Sequence, residues 1–228
     1  NMCGIGLVNK DDKHAPQIIK AANCELYTYS EESKEADFVA SDIRYVSQPD
    51  FVGTEFHISG KYDMEVRLGI PGLFNVVNAL AAVSVCSFLG LDQARISHAL
   101  ENIRVNGRME IVYTSERCTV LVDYAHNAVS MESLLSTLRD YKPKRLVCVF
   151  GCGGNRSKDR RYSMGEIGGK MADLSIITAD NSRYEKVEDI IADIRGSIEK
   201  TGGKFIEIPD RREAIRYSIL HAQPRDMV

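Results

Sequence analysis

From about residue 118 to 221 the sequence alternates short apolar runs rich in β-branched residues with stretches of helical periodicity. Strands are expected at 119–123, 145–150, 174–178 and 204–208, and helices at 130–141, about 162–171, 187–200 and 211–221. Strands separated by helix-length segments run parallel, and a mostly parallel sheet needs helices on both faces. This constrains where a ligand can go, because open sheets of this kind collect ligands where loops leave the carboxyl ends of the strands. Three such loops are polar: "DYAHN" after 119–123, "GCGGNRSKDRR" after 145–150 and "ADNSRYE" after 174–178. If their strands are neighbours, all three line one crevice.

The first part of the chain reads differently. Residues 4–9 suggest a buried strand and 15–23 a short helix. "ELYTYS", "DFVASDIRYV", "FVGTEFHIS" and "YDMEVRLGI" alternate with period two, as antiparallel strands with one wet face do. Pro71 and Gly72 end that run. Two helices follow, the first capped by Asn75 or its neighbour and stopped at Gly90, the second capped by Asp92 and running to 103. The pattern restarts near Gly107, so the chain divides into 1–107 and 108–228, both α/β. Its start and finish read as cuts: Asn1 precedes Met2, a strand opens with nothing before it, and a new apolar run begins at Met227.

Composition removes some classes of function. A formal charge of −3 does not suit a general nucleic-acid coat, which needs a dominant basic surface. The apolar stretch 73–91 is broken by Asn75, Asn78, Ser84 and Ser87, whereas a membrane span needs about 20 nearly unbroken apolar residues. Six cysteines form no CxxC pair and have no histidine at zinc spacing, which fits a reducing cytoplasm better than a metal knuckle or a disulfide scaffold.

Glycines 151, 153 and 154 permit close backbone approach and expose N–H groups near a helix start, a combination that suits an anion. A dinucleotide fingerprint would place a third spaced glycine where Arg156 stands. Arg156 offers a planar fork for a carboxylate or phosphate, although Arg156, Lys158, Arg160 and Arg161 also read as a solvated turn. Asp123 and His126 follow a buried strand, where an acid takes a ribose diol and an imidazole stacks on or donates to a nucleotide. An Asp at a strand end also forms turns. "DNSR", from Asp180 to Arg183, pairs an anion with a cation in a loop. Asn75 and Asn78 read most simply as helix caps.

Taken in order, "GLFNVVNALAA", "GRMEIV", "VDYAHN", "VFGCGGNRSKDRR" and "ITADNSRYE" resemble the Mur ligase family, most of all the branch that adds the third amino acid of the peptidoglycan stem peptide. The resemblance implies the later half of a central ATPase domain followed by most of a Rossmann-like C-terminal domain. The family's phosphate loop, its magnesium-binding Glu and His, its carbamoylated lysine and its "GKGHE" segment have no match here. It therefore implies a longer parent enzyme that ligates and a chain that alone does not. The implied chemistry is ATP- and Mg2+-dependent amide synthesis: the terminal carboxylate of UDP-MurNAc-L-Ala-D-Glu becomes an acyl phosphate, which an amine of the incoming amino acid attacks. By resemblance Asn75, Asn78, Arg108 and Asp123 serve the nucleotide, with His126 beside them, while Arg156, Asp180, Asn181 and Arg183 hold the acceptor. An arginine at 183 goes with meso-diaminopimelate, and its absence goes with lysine. Ser182 stands where the family usually has proline. Other enzymes of this fold, such as folylpolyglutamate or cyanophycin synthetases, and a non-catalytic module holding a nucleotide or amino acid are the competing readings.

Overall fold

The computed structural model describes residues 4–228. Asn1, Met2 and Cys3, and with them the reading of the chain's start, lie outside the described residues. The chain forms two units, one of residues 1–47 and 51–104, the other of 48–50 and 105–228.

In the first unit β1 (Ile5–Asn9), α1 (Ala15–Ala21), β2 (Glu25–Ser30), β3 (Phe38–Ser47), β4 (Val52–Gly60) and β5 (Met64–Leu68) precede α2 (Leu73–Phe88) and α3 (Gln93–Asn102). The five strands lie in sequence order, with β1, β2 and β3 parallel and β3, β4 and β5 antiparallel. The expectation of an all-antiparallel run therefore fails at β2. The helix α1 is the crossover that returns the chain to the same end of the sheet. A short connection then suffices for β3, because only Tyr29 and Ser30 pair with Phe38 and Val39. Strand β1 is an edge strand, and of its residues only Val8 is buried, which corrects the reading of a buried strand.

Val76, Ala79, Leu80 and Val83 recur at helical spacing on α2 and pack on Phe38, Phe56, Ile58, Val66 and Leu68 of the sheet. Each of the valine, leucine, isoleucine and phenylalanine side chains contributes about 1.5–3 kcal/mol on burial, and the Ala79 methyl less. Gly72, at φ 106°, is the N-cap of α2, while Asn75 lies inside the first turn and donates from Nδ2 to the Pro71 carbonyl at 2.7 Å. Asp92 caps α3 as its position suggests, accepting from Arg95 N at 3.1 Å. Among the described residues no helix is long and apolar enough to cross a membrane.

The second unit runs β6 (Glu110–Thr114), β7 (Cys118–Val122), α4 (Ala128–Asp140), β8 (Arg145–Phe150), α5 (Asp159–Met171), β9 (Leu174–Ile177), α6 (Val187–Thr201), β10 (Phe205–Glu207), α7 (Arg211–Leu220) and β11 (Asp226–Met227). The strand order is β10-β9-β8-β11-β7-β6, parallel except for the β6–β7 hairpin. Consecutive residues Ser175, Ile176 and Ile177 are all buried, as happens when a strand is covered on both faces. Strands β7 and β8 are not neighbours, because β11 lies between them. Asp226, fully buried, secures that position by accepting from Arg145 Nη2 at 2.6 Å and Nε at 3.1 Å.

Candidate functional site

The loops that leave β7, β8 and β9 open on one crevice of about 590 Å³. Asp123, Tyr124 and His126 line it from the first loop, Gly151, Cys152, Gly153 and Arg156 from the second, and Asp180, Asn181 and Arg183 from the third. Arg160 of α5 and Arg211 of α7 complete the wall. Four guanidiniums face two aspartates, so the crevice carries a local positive excess within a chain of formal charge −3. Such an excess suits an anionic ligand.

The second and third loops interlock. A Cβ on Gly151 would stand 2.1 Å from the Thr178 carbonyl oxygen, and one on Gly154 would stand 1.9 Å from that of Ser182. Gly154 N donates to Asn181 O at 2.8 Å, and Asn155 N donates to the Glu185 carboxylate. These two amides are thus spent inside the protein, and the positive charge open to an anion in the crevice comes from its guanidiniums.

The cation run also divides. Helix α5 begins at Asp159, so Arg160 and Arg161 lie in its first turn and not in a loop ending at Tyr162. Arg156 and Arg160 reach the crevice, Lys158 pairs with Asp193 at 3.2 Å, and Arg161 is buried. Cys152 is buried beside the crevice with Sγ 3.7 Å from Met164 Sδ. Burial pushes its thiol up to about 11, which keeps it neutral and poorly nucleophilic near neutral pH.

At the other end, Asp123 makes the turn that its strand-end position allowed. Its Oδ2 accepts from Met109 N at 2.9 Å and its Oδ1 from Ala125 N at 2.8 Å. The first bond draws the 108–109 segment against the loop, and Arg108 stacks over Tyr124 with Cζ 4.9 Å from the ring centroid. The Tyr124 and His126 rings are 5.1 Å apart. His126 Nδ1 donates to the Tyr124 carbonyl at 3.1 Å, which leaves Nε2 as an acceptor when the ring is neutral. Arg108, Asp123 and His126 therefore come together around a half-exposed aromatic surface. Asn127 caps α4, accepting from Ser130 N at 2.9 Å.

Asn75 and Asn78 lie on α2 in the first unit, where Asn78 Nδ2 is 3.4 Å from Asn75 Oδ1. Sequence reasoning missed Tyr124 and Arg211 as parts of the crevice. Tyr124 was visible within "DYAHN". Arg211 opens the helix after β10 and donates to Ala179 O at 3.1 Å, a placement signalled only by the same strand-to-helix rule applied to one more loop. Among the described residues no group of three or more His, Cys, Asp or Glu is placed to hold a metal ion.

A doubly covered α/β sheet with a cationic crevice at its strand ends is the arrangement in which open sheets of this class collect anionic ligands. A family model described as "Mur ligase, glutamate ligase domain" matches residues 107–228, and one described as "Mur ligase middle domain" matches 1–86. The chain belongs to the Mur ligase family. It is 37% identical over 227 residues to the UDP-N-acetylmuramoyl-L-alanyl-D-glutamate--2,6-diaminopimelate ligase of Caldanaerobacter subterraneus subsp. tengcongensis, covering 97% of this chain and 45% of that protein. It is 38% identical over 228 residues to ligase 2 of the same name from Clostridium acetobutylicum, covering 100% of this chain and 46% of that one. A solved structure of a ligase with that name superposes with a TM-score of 0.77 at 32% identity, covering 98% of this chain and 46% of the other. Folylpolyglutamate synthase from Thermotoga maritima gives a TM-score of 0.73 at 20% identity over 97% of this chain and 50% of its own, a likeness of fold alone. The chain spans about half the length of the relatives it matches.

Proposed function

We propose that the whole protein is a cytoplasmic ATP-dependent ligase that joins meso-diaminopimelate to UDP-MurNAc-L-Ala-D-Glu. In this reading residues 1–107 belong to the central domain and 108–228 to the C-terminal domain. The observation that carries it is the presence of Arg156, Arg183 and Asp180 in one crevice, held by interlocked loops. Diaminopimelate is a diacid with two ammonium groups. Each guanidinium would take one carboxylate through paired charge-assisted bonds, and Asp180 would face an ammonium, with Asn181 completing the pocket. Lysine has one carboxylate fewer and would leave one guanidinium unmatched. The names of the relatives at 37–38% identity point to the same acceptor.

The described residues of the second unit also suit a nucleotide. Arg108, Tyr124 and His126 offer a stacking surface, and Asp123 keeps lone pairs on both oxygens beyond the two backbone bonds it accepts. In the first unit, Asn75 and Asn78 would contribute to nucleotide binding, as the family resemblance implies. ATP, with Mg2+, would supply the phosphoryl group that activates the dipeptide carboxylate as an acyl phosphate. This chain's residues would contribute positioning of the nucleotide and acceptor, the larger part of catalysis in such transfers. The chain by itself would bind parts of these ligands without joining them.

The test is a product assay on the whole protein with ATP, UDP-MurNAc-L-Ala-D-Glu and either diaminopimelate or lysine, read by mass and by phosphate release. Product with diaminopimelate and little with lysine is expected. Equal use of lysine would overturn the acceptor assignment, and phosphate release by the 228-residue chain with both substrates would overturn its proposed inactivity.

A further inference from the structure

Arg161 is 1% exposed and does not line the crevice, yet its bonds lead straight to it. Its Nη2 donates to both oxygens of Glu185 at 2.8 Å, and its Nη1 donates to Asp193 Oδ2 at 2.9 Å. Glu185 in turn accepts from the backbone N–H of Asn155. Asn155 Oδ1 then accepts from Tyr184 N at 3.2 Å, closing a circuit between the second and third loops. Two residues of this circuit's loops hold left-handed backbone, Asn155 at φ 51° and Arg183 at φ 53°. Asn155 immediately precedes Arg156. Arg183 lies within the turn that Glu185 N closes on Ser182 O at 3.0 Å.

We propose that Arg161 and Glu185 form a positioning pair that fixes Arg156 and Arg183 at a common spacing, and so sets the crevice for a diacid of one length. The proposal rests on the acceptor reading above for the nature of the ligand. A left-handed conformation is unfavourable for a non-glycine residue, and Arg183 has no short amide side chain to ease it. Such backbone persists where its surroundings determine it. Here the surroundings include the Glu185 carboxylate, fixed by the buried Arg161 guanidinium, alongside the Gly154–Asn181 and Tyr184–Asn155 bonds. A pair serving only the core would not need to end on a loop amide, as Glu185 does on Asn155 N.

Arg161→Met would leave Glu185 without its partner and could unfold the unit, so Glu185→Gln is the informative variant. In the 228-residue chain, Glu185→Gln is expected to speed amide exchange of Gly154, Asn155 and Tyr184 by about tenfold or more, with β8 and β9 amides unchanged. In the whole protein, KM for diaminopimelate should rise about tenfold with kcat within about twofold, and Arg161→Lys should fall between the two. Exchange unchanged in the loops, or raised evenly across the unit, would overturn the proposal, as would a fall in kcat at constant KM. If the unsubstituted protein does not use diaminopimelate at all, the acceptor reading fails while the exchange measurement still judges the positioning pair.

Discussion

Gly154 and Ser182 approach so closely that a Cβ on the glycine would stand 1.9 Å from the serine carbonyl oxygen. Because that obstacle is backbone, Gly154→Ala must push the two loops apart. The expected cost is about 1–3 kcal/mol in urea unfolding, the scale of an overpacked site. Gly196 on α6 meets nothing within 4 Å, so Gly196→Ala should instead stabilise by roughly 0.5–1 kcal/mol through helix propensity.

Arg183→Ala in the whole protein should weaken use of diaminopimelate much more than use of lysine. One charge-assisted pair is worth about 1.5–3 kcal/mol, so the ratio of the two kcat/KM values should fall roughly 10- to 100-fold. A ratio that stays constant would place the second carboxylate elsewhere.

Acid should loosen the second unit. The Arg161 hydrogen bonds, and then the Asn155 amide, hold the Glu185 carboxyl below its ordinary range. Burial pushes Asp193 up, but its bonds to Arg161 and Lys158 outweigh this and leave it low. Asp173 is also low, its burial outweighed by Arg139 and the Leu146 amide. Folded values below the unfolded ones mean that the stabilisation is complete above the unfolded carboxylate range of about 4 and disappears as pH falls through the lowered values. Thermal midpoints should therefore be flat above about pH 5 and drop below about pH 4, less steeply in Glu185→Gln.

Arg145→Met would leave the Asp226 carboxylate, whose side chain is 0% exposed, with only the Gln223 amide at 2.7 Å as a donor. Removing one member of a buried pair costs about 3–5 kcal/mol. The double variant Arg145→Met with Asp226→Leu should recover much of that loss, a non-additivity readable in a double-mutant cycle.

The β-to-α loops were legible in the sequence because Asp123, Arg156 and Arg183 each follow an apolar run at a predictable place. Strand direction was not: period-two alternation is the same in parallel and antiparallel pairs, so the parallel setting of β1, β2 and β3 left no local mark. Asp226 and Met227 are too few to show any period, which hid β11 between β7 and β8. Arg161 was hidden for another reason. Within a run of cations it looks like surface, and its partners Glu185 and Asp193 are distant in sequence.

The intervening position of β11 acts as a spacer at the starts of its two neighbours. Asp226 and Met227 pair with Cys118 and Thr119 on one side and with Arg145 and Leu146 on the other, so two steps of about 4.8 Å put β7 and β8 roughly 10 Å apart at that level. The Asp123 and Arg156 loops thus spring from strands that begin two steps apart and not one.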